Sequence, residues 1–281
     1  MNARPLPVDH YENFPVASWL CPPRLRAPIA AIYHFARVAD DIADEGDAPA
    51  AARLADLADY RADLAALARG TAPSARWPHV FQPLAAALRE FSLPPALLGD
   101  LLSAFEQDVV RTRDARPYAD RQDLLAYCRL SANPVGRLLL HLYGVSDEAS
   151  LQRSDCICSA LQLINFWQDL SVDIGRGRHY WPQDDRLACG ASEDDLRAQR
   201  ATPQTKRLIA SLCRWAFELM HEGAPLVHAL PGRGGWELRL VIQGGLRILE
   251  RIEASGHATL QTRPRLRALD APLLMWRALW M

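Results

Sequence analysis

The sequence lacks an excess of charge of either sign, and it lacks any long apolar run. Its 281 residues carry a formal net charge of −1, and the basic residues are scattered along the chain. Such a balance gives no electrostatic footprint for nucleic acid, and no apolar run approaches the roughly 20 residues of a membrane-spanning helix. We therefore expect neither a nucleic-acid-binding protein nor an integral membrane protein. Basic residues should instead act locally, on a small anionic ligand.

The six cysteines lack the spacing of a disulfide framework or of a metal site. No C-x-x-C pair occurs, and Cys156-x-Cys158 is the one pair worth considering. The opening MNARPLPVDH has no apolar core of the kind found in a secretory signal. These features predict reduced thiols in a cytoplasmic protein.

Alternating β-branched runs of strand length are also absent, whereas helical periodicity extends over almost the whole chain. Helix-favouring Ala, Leu, Arg and Glu dominate, and Gly and Pro interrupt the periodic stretches. The pattern predicts a single all-α domain over residues 1–281, with its longest loop near 175–203 and with Asn133 as an N-cap before Pro134. The predicted helices cover residues 26–45, 50–69, 79–91, 94–112, 120–130, 134–144, 147–174, 204–222, 236–255 and 268–279.

Two stretches place carboxylates at the ends of apolar helices. They are FARVADDIADEGD at 35–47 and LQLINFWQDLSVDIGRGRHYWPQDD at 161–185. At 100° per residue, each stretch aligns its polar side chains in one column along a helix face. The first column contains Tyr33, Arg37, Asp40 and Asp44, with Asp41 and Glu45 at its edge. The second column contains Gln162, Asn165, Asp169 and Asp173.

These acidic columns are costly unless a cation neutralises them. Like charges four residues apart destabilise a helix, and the C-terminal end of the helix dipole disfavours acids. The alternative is a solvated charged face, but the neighbouring residues are apolar or aromatic, which indicates partial burial. Oxygen ligands without His or Cys at matching spacing favour Mg²⁺ over zinc. Because Mg²⁺ commonly bridges carboxylates to phosphate oxygens, and Arg37, Arg176 and Arg178 lie nearby, we expect metal ions that hold a diphosphate.

These motifs resemble the squalene and phytoene synthase family. DDIAD at 40–44 is similar to the first aspartate-rich motif of that family. The second signature, Q-x2-N-x3-D-x3-D followed by R-x-Y-x-P, is matched from Gln162 to Pro182. YCRLSANPVG at 127–136 resembles a third signature, which opens with tyrosine and closes with valine and glycine. The resemblance covers about residues 10–260.

The resemblance implies the isoprenoid synthase fold, a helical bundle around a central apolar cavity with the two acidic columns facing each other at its mouth. It implies about three Mg²⁺ ions that withdraw diphosphate from a prenyl substrate, leaving a carbocation that aromatic faces such as Tyr33 or Phe14 stabilise. The implied metal-binding residues are Asp40, Asp41, Asp44, Asn165, Asp169 and Asp173. The implied diphosphate-binding residues are Arg37, Arg176, Arg178 and Tyr180. The implied catalytic residues are Tyr33, Arg37, Tyr127, Gln162 and Asn165.

Three departures from the family pattern narrow the expectation. Members that join two prenyl diphosphates carry a His-Ser-basic-Ser-Phe segment, and here residues 10–14 read HYENF, with Glu12 in the place of the base. Gln168 stands where the family has arginine, and Asn133-Pro134 replaces small residues. With the ENFPVAS opening, these traits resemble the bacterial hydroxysqualene synthase branch of hopanoid biosynthesis. That branch ionises one presqualene diphosphate and lets water capture the rearranged cation.

Two other functions stay open at this level. One is a condensing squalene, phytoene or presqualene diphosphate synthase that acts on two prenyl diphosphates; the other is a non-catalytic helical subunit. The residue that guides water is open among Tyr127, Gln162, Asn165 and Gln168. No nicotinamide cofactor is expected, since the one glycine-rich loop, PGRGGWELRL at 231–240, lacks a βαβ unit and predicts a turn. The tail APLLMWRALWM allows peripheral contact with the inner face of a membrane. The oligomeric state is not indicated.

Overall fold

The computed structural model describes residues 21–281, and within this range the regular structure is helical. The predicted HYENF segment, with Glu12 and Phe14, lies outside the described residues. The helices are α1 (Pro23–Asp44), α2 (Ala50–Ala68), α3 (Pro78–Phe91), α4 (Pro95–Arg113), α5 (Arg121–Ser131), α6 (Asn133–Tyr143), α7 (Glu148–Gly175), α8 (Gln183–Ala188), α9 (Glu193–Arg197), α10 (Pro203–Gly223), α11 (Arg233–Ala254) and α12 (Ala271–Leu279). Two short 3₁₀ segments span Ala224–His228 and Ala268–Asp270. The all-α prediction is confirmed.

Local sequence explains where several helices begin. Proline occupies the first turn of α1, α3, α4, α6, α10 and α12, where its missing N–H costs no hydrogen bond. The side chains of Asp120, Asp147 and Thr202 accept hydrogen bonds from the first turns of α5, α7 and α10. Gly144 ends α6 in the left-handed conformation, at a φ of 74°.

The predicted N-cap at Asn133 is wrong. Ala132 precedes α6 directly, and Asn133 is the first residue of that helix. The Asn133 side chain is buried, and its Oδ1 accepts a hydrogen bond of 3.0 Å from Ser159 Oγ on α7. The Asn133 side chain is therefore hydrogen-bonded to a buried partner on a neighbouring helix and does not cap its own backbone.

Two further boundaries differ from the prediction. The expected loop at 175–203 contains α8 and α9, which at six and five residues are too short to show periodicity in sequence. The glycine-rich stretch is a turn only up to Gly232, and α11 begins at Arg233. A Cβ on Gly235 would lie 2.6 Å from the Val227 carbonyl oxygen, so this glycine permits close packing inside the helix.

The core forms two clusters on either side of a cavity. The first is built by α1 to α4 around the packed rings of Phe35, Tyr60 and Phe81, and the Tyr60 hydroxyl donates to the Phe35 carbonyl. The second surrounds the buried Trp167 of α7, where α7 packs along α10. Burial of these large rings supplies most of the hydrophobic stabilisation.

Candidate active site

A cavity of about 490 Å³ lies between the two core clusters, lined mostly by apolar side chains of α1, α6, α7 and α11. Along α1 it extends from Ile29 to Asp40, which is about 16 Å at the helical rise. Tyr33, Arg37 and Asp40 supply polar groups toward the C-terminal end of α1. The size and lining suit an elongated apolar ligand with one polar end.

The first acidic column surrounds one arginine on α1. Arg37 Nη1 lies 3.1 Å from Asp40 Oδ2, and its Nη2 lies 2.7 Å from Asp41 Oδ1. Burial, together with the neighbouring Asp44 carboxylate, raises the pKa of Asp40 to about 6, despite the favourable charge of Arg37. The column therefore holds more negative charge than its own arginine neutralises.

The segment after α7 reaches the acidic end of α1 beside Asp40, which lines the cavity, and we call this region the mouth. Arg178, three residues beyond the end of α7, donates to Asp44 at the end of α1. Burial raises the pKa of Asp173 to about 7, with Asp169 and Asp44 adding to the rise against the effect of Arg178. The Asp44 carboxylate on α1 is thus close enough to Asp173 on α7 to raise its pKa.

An arginine that sequence reasoning missed covers the other carboxylate of α7. Arg263 binds Asp169 with two parallel hydrogen bonds, 2.5 Å from Nε to Oδ1 and 2.7 Å from Nη2 to Oδ2. Its position is fixed by the neighbouring residue, because the amide of fully buried Gln168 donates to the Pro264 carbonyl at 2.6 Å. The Gln168 amide is thus hydrogen-bonded to the segment that carries Arg263, and Gln168 does not line the cavity. No local pattern links residues 94 positions apart.

A second missed residue is Asp108 of α4, which is half-buried beside the predicted Tyr127. The Tyr127 hydroxyl donates to Asp108 Oδ2 at 2.5 Å, and burial raises the pKa of Asp108 to about 7. A signal existed in the sequence: Asp108 continues the apolar series of Leu101 and Phe105 at helical spacing. An acid on the apolar face of a helix is a candidate for a functional group.

The structure separates the remaining predicted residues into three places. Tyr127 and Tyr180 lie behind the mouth in a cluster of rings, where Tyr180 stacks on Phe166 with ring centroids 3.7 Å apart. Gln162 and Asn165 are half-buried on α7, between cavity-lining Leu161 and the acidic end of that helix. Arg176 is exposed at the C-terminus of α7.

The donor set fits a diphosphate with hard metal ions. No three acidic, His or Cys side chains of residues 21–281 converge as a ready-made metal cluster, because arginines cover the carboxylates. The Nε–H groups of Arg37 and Arg178 are buried without an acceptor in the described part of the chain. Carboxylates with raised pKa values beside unsatisfied guanidinium donors are complementary to a bound cation and a bound anion, respectively.

Comparison with known proteins identifies the family. The squalene/phytoene synthase family model matches residues 8–270. This chain belongs to the squalene/phytoene synthase family. The hydroxysqualene synthase of Rhodopseudomonas palustris is 40% identical over 76% of this chain and 70% of its own length. The hydroxysqualene synthase of Sinorhizobium fredii is 37% identical over 77% and 70%.

Solved structures of squalene/phytoene synthases support the same assignment. The crystal structure of squalene synthase HpnC from Alicyclobacillus acidocaldarius is 36% identical, with a TM-score of 0.78 over 88% of this chain and 90% of that one. The predicted isoprenoid synthase fold is confirmed. Members of the family are enzymes that act on prenyl diphosphates.

Proposed function

We propose that this enzyme ionises presqualene diphosphate and lets water capture the rearranged cation, giving hydroxysqualene and diphosphate. The supporting observation is that Arg178, in the segment after α7, contacts Asp44 of the first column, while Asp40 of the same column lines the apolar cavity. The two relatives named hydroxysqualene synthase support this branch of the family. The alternative is a condensing synthase that joins two prenyl diphosphates.

The carboxylates and arginines divide the work at the mouth. Asp40, Asp41 and Asp44 on α1, with Asn165, Asp169 and Asp173 on α7, are the oxygen donors that would hold Mg²⁺. Bound Mg²⁺ would supply Lewis-acid neutralisation of the leaving group. Arg37, Arg176 and Arg178 would donate to the diphosphate, and Arg178 has an Nε–H that its contact with Asp44 does not use.

The proposed reaction breaks one carbon–oxygen bond and forms another. The carbon–oxygen bond breaks, and diphosphate leaves with the electron pair. The cyclopropylcarbinyl cation opens within apolar walls that keep bulk water out, while the ring of Tyr33 at the cavity wall offers a negative face. One water then adds to the rearranged cation and loses a proton. No hydride is transferred, so no nicotinamide is needed.

Position relative to the cavity separates the four candidates for guiding the water. Fully buried Gln168 donates to the Pro264 carbonyl and Tyr127 lies among the rings around Phe166, and neither lines the cavity. Gln162 and Asn165 continue the cavity-lining side of α7 toward the acidic mouth. We therefore propose that Gln162 and Asn165 guide the water.

Product analysis tests this proposal. The purified enzyme with Mg²⁺ is given presqualene diphosphate or farnesyl diphosphate in parallel, in isotopically labelled water, and products are identified by mass spectrometry. We expect a labelled C30 alcohol from presqualene diphosphate and no product from farnesyl diphosphate alone. A C30 diphosphate or hydrocarbon from farnesyl diphosphate alone would establish the condensing alternative, and an unlabelled alcohol would refute water capture.

A further inference from the structure

The C-terminal helix presents an apolar face to solvent. The exposed residues of α12 recur at the spacing of one helix face, and Leu269 in the preceding turn joins them. We call this set the α12 apolar face: Leu269, Pro272, Met275, Trp276, Leu279 and Trp280. Its exposure is large, at 88% for Leu269 and 75% for Trp280. The rings of Trp276 and Trp280 contact each other, 5.6 Å apart.

Unlike an ordinary surface helix, which turns its apolar side inward, α12 carries apolar side chains on its outward side as well as its inward side. Its inward side makes the polar contacts: Arg277 pairs with Glu250 of α11, and Ala278 accepts a hydrogen bond of 3.1 Å from Arg239. These contacts hold α12 against α11, so the apolar face stays outward. A contiguous apolar patch of this kind marks an interaction site.

The surroundings of this face are positively charged. Residues 261–281 contain four arginines and one aspartate, a net charge of +3, whereas the whole chain carries −1. Arg265 and Arg267 are exposed beside the 3₁₀ turn that bears Leu269. A surface that combines tryptophans with arginines is complementary to a lipid headgroup layer that carries negative charge.

The face also borders the wall of the cavity. Arg239 stacks over the exposed ring of Trp236 at 5.1 Å, and its side chain reaches Ala278 of α12. Gly234 and Leu238, in the same turns of α11, line the cavity. The α12 apolar face therefore lies beside the part of α11 that contacts an apolar ligand.

We propose that the α12 apolar face docks this enzyme on the surface of a bilayer that contains anionic phospholipid. The nine residues of α12 are too few to cross a membrane, and no helix among residues 21–281 is long and apolar enough to do so. The helix lies in the headgroup region, with Trp276 and Trp280 at the interface and the arginines toward the phosphates.

Vesicle flotation tests the apolar part of this proposal. Wild-type enzyme is mixed with vesicles of phosphatidylcholine and phosphatidylglycerol, and the bound fraction is compared with that of the double variant Trp276→Ser, Trp280→Ser. We expect the partition coefficient to fall at least about tenfold, because two large apolar side chains are lost from the interface. Phe217→Ser, on α10 and 46% exposed, is the matched control and should bind like wild type.

The charge of the lipid tests the electrostatic part. Binding to vesicles of phosphatidylcholine alone, or at high salt, should be weaker than to the anionic mixture. Arg267→Gln should lower the partition into anionic vesicles about fivefold, and leave partition into neutral vesicles unchanged.

Two results would overturn the proposal. One is equal vesicle binding by the wild type and the double variant while both unfold at the same temperature. The other is self-association of the wild type that the double variant abolishes without a change in vesicle binding, which would assign the face to a second copy of the chain. Turnover of detergent-dispersed substrate should be the same in both proteins, so failure of docking and failure of the proposed function are distinguishable.

Discussion

Two regions hold carboxylates out of full contact with water: the mouth of the cavity, and the anchor of the C-terminal segment, which is Asp270 with Arg247 and Arg251. The pKa values of their carboxylates shift in opposite directions. Burial alone would raise the pKa of Asp270, but the Arg267 backbone N–H and the guanidinium groups of Arg247 and Arg251 outweigh it and lower that pKa to about 2. At the mouth, burial and neighbouring acids dominate, and the pKa of Asp173 rises to about 7.

The difference separates a structural carboxylate from those that we propose as metal ligands. Asp270 is 3% exposed and accepts hydrogen bonds from three donors, so it ties α11 to the turn before α12. Asp40 and Asp173 sit among other acids that compete for few arginines. Charge that the fold leaves uncompensated is charge reserved for a ligand.

The largest expected effect comes from removing a mouth carboxylate. Asp173→Asn keeps the side-chain shape and removes a proposed metal ligand, so we expect turnover to fall about 10³-fold or more. The melting temperature without Mg²⁺ should stay equal or rise, because repulsion with Asp169 disappears. Steady-state kinetics and thermal unfolding measure the two effects.

The control for that variant is Asp155→Asn on the same helix. Asp155 pairs with Arg137 at 2.6 Å, away from the mouth, so turnover should be unchanged. Unfolding of the Asp173→Asn protein, or full turnover by it, would contradict the functional interpretation.

The converse change at the anchor should affect stability. Asp270→Asn leaves Arg247 and Arg251 without their shared carboxylate, and we expect a loss of about 2–3 kcal/mol in the free energy of unfolding, since both arginines are partly solvated. Chemical denaturation measures this loss. Asp114→Asn, in an exposed pair with Arg113, should leave the free energy of unfolding essentially unchanged, because solvent screens an exposed ion pair. Equal effects of the two substitutions would erase the contrast.

The pH dependence of stability should differ in sign between the two regions. The raised pKa values of Asp40, Asp108 and Asp173 mean that the folded state binds more protons than the unfolded state between about pH 4 and pH 7. The contribution of these carboxylates to the free energy of unfolding therefore falls as the pH rises through this window. The lowered pKa of Asp270 means that its contribution is lost as the pH falls from about 4 to about 2.

Thermal unfolding from pH 2 to 8 measures this profile. Without Mg²⁺, the loss between pH 4 and pH 7 should shrink in the Asp173→Asn variant. In the wild type, Mg²⁺ with diphosphate should raise the melting temperature most at pH 7 and above, where the carboxylates are ionised. A profile that Asp173→Asn leaves unchanged would rule out the mouth as its source.

The smallest expected effect concerns the support behind Asp169. Gln168→Met keeps the volume but cannot donate to the Pro264 carbonyl, so the segment that carries Arg263 loses its tether. We expect about a tenfold loss of turnover, with about 1 kcal/mol of stability lost. A shifted Mg²⁺ dependence of turnover would distinguish this positioning role from general destabilisation. An unaltered Mg²⁺ dependence together with full turnover would contradict it.

Sequence reasoning reached features that repeat along one helix. The columns on α1 and α7 follow from 3.6-residue periodicity, and the predicted α7 at 147–174 matches Glu148–Gly175 within one residue. Features that depend on tertiary contact were beyond its reach. Arg263 contacts Asp169 because the chain after α11 returns along the bundle to α7. The Asn133 side chain bonds to Ser159 of another helix and so does not act as an N-cap. Asp108 could have been predicted from the sequence, because it continues a series of apolar residues at helical spacing.

The contact between Arg178 and Asp44 links the two sides of the mouth through one ion pair. The Arg178 guanidinium would divide its N–H donors between this carboxylate and a departing diphosphate, so an incoming anion must compete with an internal partner. We expect orthophosphate, which carries less charge and brings fewer metal ions, to compete poorly for Arg178. Selectivity for diphosphate would then arise before the hydrocarbon part of a substrate enters the cavity.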